Sequence, residues 1–207
     1  MIKALPTLYR GITYRSRLEA TWAYFFDRIG FKYHYEMEGF KINDLCYLPD
    51  FFLPEQDTWI EIKPKRPTKQ ERLKIASLLI ELIKSGSESN VGILYGRPWI
   101  DEQAPEYIYL NFYPLLGTLE VDGKIYHITA ENITLEHIED DEQIFVQCQR
   151  CNQIGLDSVA IHYPDKFGGY HGFSGCCDNP GTTTPYGDRL LAAYKKATNK
   201  KWWSSFQ

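Results

Sequence analysis

The chain lacks the features that would place it in a membrane or outside the cell. None of its 207 residues belongs to an apolar run that approaches the ~20 residues needed to cross a bilayer. The first residues, Met-Ile-Lys-Ala-Leu-Pro, do not form the apolar run of a signal peptide either. No internal repeat or low-complexity tract is evident. We therefore expect a cytoplasmic protein that binds no membrane.

Cysteine is scarce, and most of it is confined to one region. Cys46 stands apart, while the other four lie within a span of 30 residues: Cys148, Cys151, Cys176 and Cys177. In a cytosolic chain such clustering favours metal binding over disulfide formation. Zinc takes four tetrahedral nitrogen or sulfur ligands, and a CxxC pair supplies two of them from one tight turn. The region is rich in glycine and poor in apolar runs, so we expect a structural zinc module over about 145–181.

The second half of this cysteine set is irregular. Cys176 and Cys177 are adjacent, and adjacent side chains point apart on an extended chain. Both bind zinc only if the backbone turns sharply, which Gly175 permits. Otherwise one cysteine binds and His162 or His171 completes the site. The alternative is four reduced thiols in a loop-rich segment.

Charge is distributed unevenly, although the net charge is only −4. Residues 1–100 carry +3, residues 101–185 carry −11, and residues 186–207 carry +4. A polyanion would be attracted by the two ends of the chain and repelled by its middle. The alternatives are that the acidic middle keeps the protein in solution or binds a protein partner through a zinc-stabilised surface.

The hydrophobic pattern predicts an α/β fold. Apolar residues at three- and four-residue steps predict helices over 16–30, 69–84 and 186–199. Ser16 fits a helix N-cap, and Thr68 with Glu71 fits a capping box. Alternating segments predict a hairpin over 118–128 and strands over 31–36, 47–53, 58–63, 91–95 and 107–112. We expect one domain over 1–116 and a second region over 117–207.

Two acids and a lysine form the motif that carries most chemical meaning. Asp50 follows Pro49, and ten residues separate it from Glu61, which is two residues from Lys63. Glu61 and Lys63 share one face of a strand, since strand side chains alternate. Asp50 lies on the preceding strand of the same predicted hairpin, within reach of a shared ion. Mg²⁺ prefers such oxygen ligands, and a cationic lysine beside it can balance charge on a phosphate.

With these residues the chain resembles the PD-(D/E)xK nuclease superfamily over roughly residues 10–112. The resemblance rests on Pro49-Asp50, on Glu61-x-Lys63 and on the order of helices and strands. It implies a restriction-endonuclease-like core with a mixed central sheet flanked by helices, here followed by the zinc module and a C-terminal helix. It also implies DNA cleavage in which the two acids bind Mg²⁺ or Mn²⁺ and Lys63 assists the attacking water.

Glu19 has two competing interpretations. The segment Tyr-Arg-Ser-Arg-Leu-Glu-Ala looks like the entry helix of phage and mobile-element members, and the resemblance makes Glu19 a further metal ligand. The spacing Ser16-x-x-Glu19 also fits a capping box in which Glu19 returns to the Ser16 backbone.

The remaining expectations concern DNA and partners. Basic and polar residues flank the motif in sequence and can contact phosphates without reading the base sequence: Arg15, Arg17, Lys65, Arg66, Lys69 and Gln70. Each is also explained as a solvated charge at a helix start. We expect a Mg²⁺-dependent deoxyribonuclease, an endonuclease rather than an exonuclease, acting as a homodimer or within a larger DNA-processing complex. The rival is a subunit that binds nucleic acid and does not cut.

Overall fold

The computed structural model describes residues 4–42, 44–99, 109–121, 123–158 and 183–202. Within these ranges the chain forms three α-helices: α1 (Arg17–Ile29), α2 (Lys69–Lys84) and α3 (Asp188–Thr198). Its strands are β1 (Thr7–Tyr9), β2 (Ile12–Tyr14), β3 (His34–Tyr35), β4 (Phe40–Ile42), β5 (Leu45–Tyr47), β6 (Phe51–Leu53), β7 (Thr58–Lys63), β8 (Asn90–Tyr95), β9 (Tyr109–Pro114), β10 (Gly117–Val121), β11 (Lys124–Ile128), β12 (Ile138–Cys148), β13 (Ile154–Ser158) and β14 (Thr183–Thr184). A 3-10 turn covers Leu135–His137.

The chain divides into two compact units that interleave along the sequence. Unit 1 comprises residues 1–32, 95–108 and 142–207, and unit 2 comprises residues 33–94 and 109–141. Strand β12 runs through both units. The predicted division at residues 116 and 117 stays a prediction.

In unit 1, two helices pack against each other and bury an aromatic core. Helix α1 contacts α3, and the ring of Phe25 lies 4.7 Å from that of Tyr194 on α3 and 5.3 Å from that of Phe145 on β12. Ser16 caps α1 as predicted, by accepting a hydrogen bond from the Glu19 backbone N–H at 3.2 Å. Gly30 ends the helix with φ of 85°, a left-handed conformation that glycine adopts without steric cost.

In unit 2, helix α2 contacts a mixed sheet. Its strands follow the order β9-β8-β7-β6-β3, with β12 paired to β9 at one edge. The β6–β7 and β8–β9 pairs are antiparallel. Strands β7 and β8 are joined through α2, and the Asn90 N–H donates to the Asp57 carbonyl at 2.8 Å, so both strands start side by side and run parallel. The protein is therefore α/β with a mixed sheet, as predicted. The finer restriction-endonuclease-like assignment stays a prediction.

Helix α2 confirms its sequence prediction in bounds and in capping. The Thr68 side chain accepts from the Glu71 N–H, and the Glu71 carboxylate accepts from the Thr68 N–H at 2.8 Å. One apolar residue of the helix, Leu73, is 39% exposed. The predicted hairpin over 118–128 is also present as β10 and β11.

Two predicted strands have wrong bounds. The predicted strand over 47–53 is interrupted between Tyr47 and Phe51, where Pro49 has no N–H to donate to a ladder. The strand predicted over 31–36 is reduced to the two residues of β3. Strand β12 (Ile138–Cys148) is not among the strands that the alternating segments predicted. In the part of the chain that the structure describes, no helix is long and apolar enough to cross a membrane.

Candidate active site

The β6–β7 hairpin brings the three motif residues together. Phe51 pairs with Ile60, and the next step of this register places Asp50, one residue before β6, beside Glu61. Lys63 lies two residues further along β7. The predicted arrangement of the two acids on adjacent segments of one hairpin therefore corresponds to the fold, although Asp50 lies in a bend and not within a strand.

Asp50 is buried and held by the backbone of its neighbouring strand. Asp50 is 4% exposed, and its Oδ2 accepts a hydrogen bond from the Ile62 N–H at 2.7 Å. A buried carboxylate requires such partners, because desolvation penalises the charged form. The bond holds the Asp50 carboxylate against the backbone of β7, and the charge of Asp50 acts on Lys63.

Glu61 and Lys63 form a short ion pair at the edge of the site. Lys63 Nζ lies 2.7 Å from Glu61 Oε1 and 3.8 Å from Glu71 Oε1 on α2. Their side chains are partly buried, with 13% of Glu61 and 23% of Lys63 exposed. The other Glu61 oxygen, Oε2, accepts from the hydroxyl of Tyr47 at 2.9 Å. The spacing of the motif predicts neither Tyr47 nor Glu71 as a neighbour of the site.

The charge of Lys63 is fixed by these neighbours. Burial lowers the pKa of Lys63, but the charge and hydrogen bond of Glu61, with the charges of Glu71 and Asp50, outweigh burial and raise the pKa above 10.5. The side chain is therefore a cation at neutral pH. It can attract a phosphate or orient a water, but it cannot accept a proton.

Glu19 occupies the position predicted by the capping interpretation, with different partners. It is 8% exposed, its Oε1 accepts from the Ser16 hydroxyl at 2.6 Å, and its Oε2 accepts from the Arg15 N–H at 3.1 Å. Glu19 belongs to unit 1, whereas the other three motif residues belong to unit 2. Its predicted role as a metal ligand stays a prediction.

The donor set suits a hard divalent cation held partly by solvent. Among the described residues there is no group of three or more His, Cys, Asp or Glu side chains placed to share a metal ion. Asp50 and Glu61 supply two carboxylates, and Mg²⁺ is commonly bound through one or two carboxylates with waters and substrate phosphate completing its shell. The residues present fit that mode of binding.

The predicted phosphate-contacting residues are mostly accessible. Lys65, Arg66, Lys69 and Gln70 are exposed and lie in the loop after β7 and the first turn of α2. Arg15 is exposed and Arg17 is half-buried at the start of α1. In unit 2 these residues follow Lys63 directly along the chain.

The predicted zinc ligands are only partly described. Cys148 is buried at the end of β12, Cys151 is exposed, and the backbone N–H groups of Arg150 and Cys151 point at Cys148 Sγ, each at 3.4 Å. Asn152 closes the turn with φ of 60°. The two cysteines therefore flank a tight turn, and their predicted binding of zinc stays a prediction.

The other predicted zinc ligands, Cys176, Cys177, His162 and His171, lie outside the described residues.

Comparisons of the chain with protein-family models, with curated proteins and with solved structures return no match.

Proposed function

We propose that the protein is a metal-dependent deoxyribonuclease that hydrolyses phosphodiester bonds within DNA. One observation carries the proposal: Asp50, Glu61 and Lys63 converge on a single hairpin, and Lys63 is held as a cation between acidic neighbours. A perturbed pKa supports a functional site where it coincides with a buried acid, because structural ion pairs perturb pKa values as well.

Each residue has a distinct role in this proposal. Mg²⁺ or Mn²⁺, when bound, would polarise the phosphate and lower the pKa of a water. Asp50 and Glu61 would hold the cation, and the Ile62 N–H keeps the Asp50 carboxylate in its orientation. Lys63 contacts the attacking water or a phosphate oxygen as a positive charge, since it stays protonated at neutral pH. Exposed Lys65, Arg66 and Lys69 contact the DNA backbone.

The test compares wild type, Lys63→Met and Lys124→Met on linear, circular, branched and single-stranded DNA with Mg²⁺ and with EDTA. Lys124 is an exposed lysine of β11 in the same unit and serves as the matched control. We expect cleavage by wild type and by Lys124→Met with Mg²⁺, and none by Lys63→Met, which keeps its circular dichroism spectrum. Nicking of circular DNA identifies an endonuclease. Equal behaviour of Lys63→Met and wild type would contradict the proposal.

The hydrogen bonds that Glu61 already makes within the chain favour a second function. Both of its oxygens accept hydrogen bonds from the chain itself, from Lys63 and from Tyr47. A non-cleaving subunit would keep these bonds and use the basic loop to bind nucleic acid. Salt-dependent DNA binding by wild type, with no cleavage of any of the four substrates, would establish this alternative.

A further inference from the structure

Tyr47 is a buried tyrosine whose hydroxyl reaches the acidic site from a separate hairpin. It ends β5, which pairs only with β4 among the described strands, and it is opposite Phe40 in that pair. The residue is 4% exposed, although the hairpin to which it belongs also carries exposed Leu45 and Cys46. The tyrosine therefore projects inward from a short surface ribbon.

The hydroxyl of Tyr47 and the ammonium of Lys63 divide the Glu61 carboxylate between them. Tyr47 donates to Oε2 at 2.9 Å, and Lys63 donates to Oε1 at 2.7 Å. Two donors on opposite oxygens fix both the rotation and the tilt of a carboxylate. Such outer partners orient a metal-binding carboxylate, and the loss of one typically weakens metal binding about 10- to 100-fold.

Helix α2 contacts the ring of Tyr47 through Lys74. Lys74 Nζ lies 4.2 Å from the centroid of the Tyr47 ring. A cation over an aromatic face is attracted to it and draws electron density from the ring, which strengthens the phenol as a hydrogen-bond donor. Lys74 is one turn after Glu71, so α2 contributes to the site through both residues.

We propose that Tyr47 is a positioning residue that fixes the orientation of the Glu61 carboxylate, which would hold the divalent cation. Its hydroxyl anchors Oε2 while Lys63 anchors Oε1, so the carboxylate would be oriented before a cation binds. Lys74 acts one step further away, through the Tyr47 ring. This inference rests on the proposed function, because it assigns the role of Tyr47 in the same site.

The test measures Mn²⁺ binding directly, by electron paramagnetic resonance and calorimetry, and does not depend on activity. Tyr47→Phe removes one hydroxyl, and we expect it to weaken Mn²⁺ binding about 10-fold. Tyr113→Phe is the matched control, because Tyr113 donates to Glu139 at 2.8 Å elsewhere in unit 2. The control should bind Mn²⁺ as wild type does. Lys74→Met should weaken binding by less than Tyr47→Phe, and it tests the proposal if Tyr47→Phe fails to fold.

A purely structural role and a positioning role give different kinetics. Positioning predicts that Tyr47→Phe raises the Mg²⁺ concentration for half-maximal cleavage, leaves the KM for DNA unchanged, and regains the wild-type rate at saturating Mn²⁺. If Tyr47→Phe and Lys74→Met both bind Mn²⁺ with an affinity within twofold of wild type, the inference is overturned. The nuclease proposal would stay intact. If wild type cuts no DNA and Tyr47→Phe still binds Mn²⁺ more weakly than wild type, the inference is supported and the nuclease proposal is refuted.

Discussion

Asp50 is expected to contribute to folding through its shape and to function through its charge. Asp50→Asn keeps an oxygen that can accept the Ile62 N–H, whereas Asp50→Ala leaves that buried donor without an acceptor. A buried donor that loses its partner costs about 1–3 kcal/mol. In EDTA we therefore expect Asp50→Ala to lower the free energy of unfolding by about that amount relative to Asp50→Asn.

The effect of Mg²⁺ separates the second contribution. A ligand that binds only the folded state stabilises it by RT ln(1 + [L]/Kd), which is about 1.4 kcal/mol at a concentration of ten times Kd. Wild type should gain this stability on addition of Mg²⁺, and neither variant should gain it. Urea unfolding followed by tryptophan fluorescence, with and without Mg²⁺, measures both quantities.

Two results would refute this reasoning. Equal stability of Asp50→Ala and Asp50→Asn in EDTA would show that the hydrogen bond from Ile62 contributes little. An equal gain on Mg²⁺ addition by wild type and Asp50→Asn would show that the Asp50 carboxylate does not hold the cation.

Three further predictions concern the capping box and the cysteines. Thr68→Ala should lower the free energy of unfolding by about 1 kcal/mol in urea titrations, because α2 loses its N-cap, and Ser77→Ala in the middle of the same helix should change it by less than about 0.5 kcal/mol. The backbone N–H of Thr68, then its hydroxyl and the charge of Lys63, lower the pKa of Glu71 below 4.5, so the stability that its carboxylate adds is present above pH 4.5 and lost below it. The difference in unfolding free energy between wild type and Glu71→Gln should therefore stay constant between neutral pH and pH 4.5 and shrink as pH falls below 4.5. A difference that grows below pH 4.5 would contradict this. Cys148→Ser should lose one zinc per chain by metal analysis while Cys46→Ser, altered at an exposed cysteine, keeps it; wild type purified without zinc would contradict the zinc module.

The parts of the fold that local physics determines could be predicted from the sequence. Helix α2 has its apolar spacing, its capping residues and its end within one continuous segment, so its bounds follow from neighbours in sequence. Asp50 and Glu61 lie on neighbouring segments of one hairpin. Their proximity could therefore be predicted from the alternation of side chains along β7 and the short turn before it. The strand predicted across Pro49 failed, because apolar neighbours outweighed the missing N–H in that prediction.

Contacts between distant segments could not be predicted in the same way. Tyr47 meets Glu61 because β5 folds onto the site, and no spacing rule connects residues of different hairpins. Glu71 is read correctly as a capping residue, but its second role beside Lys63 depends on how α2 packs against β7. Glu19 shows the converse limit, because the one motif Ser16-x-x-Glu19 supports two roles and the observed hydrogen bonds to Ser16 and Arg15 are compatible with either.

The charges that act on Lys63 also bear on whether a cation would bind beside it. Lys63 Nζ lies 2.7 Å from Glu61 Oε1 and 3.8 Å from Glu71 Oε1, and the charge of Asp50 acts on it as well. Three carboxylates therefore act on one ammonium group, and the summed charge of these four side chains is negative. A divalent cation would reverse the sign of this balance and would make the same place attractive to a phosphate. The charge around Lys63 is therefore a reason to expect a cation at the site, independent of the spacing of its residues.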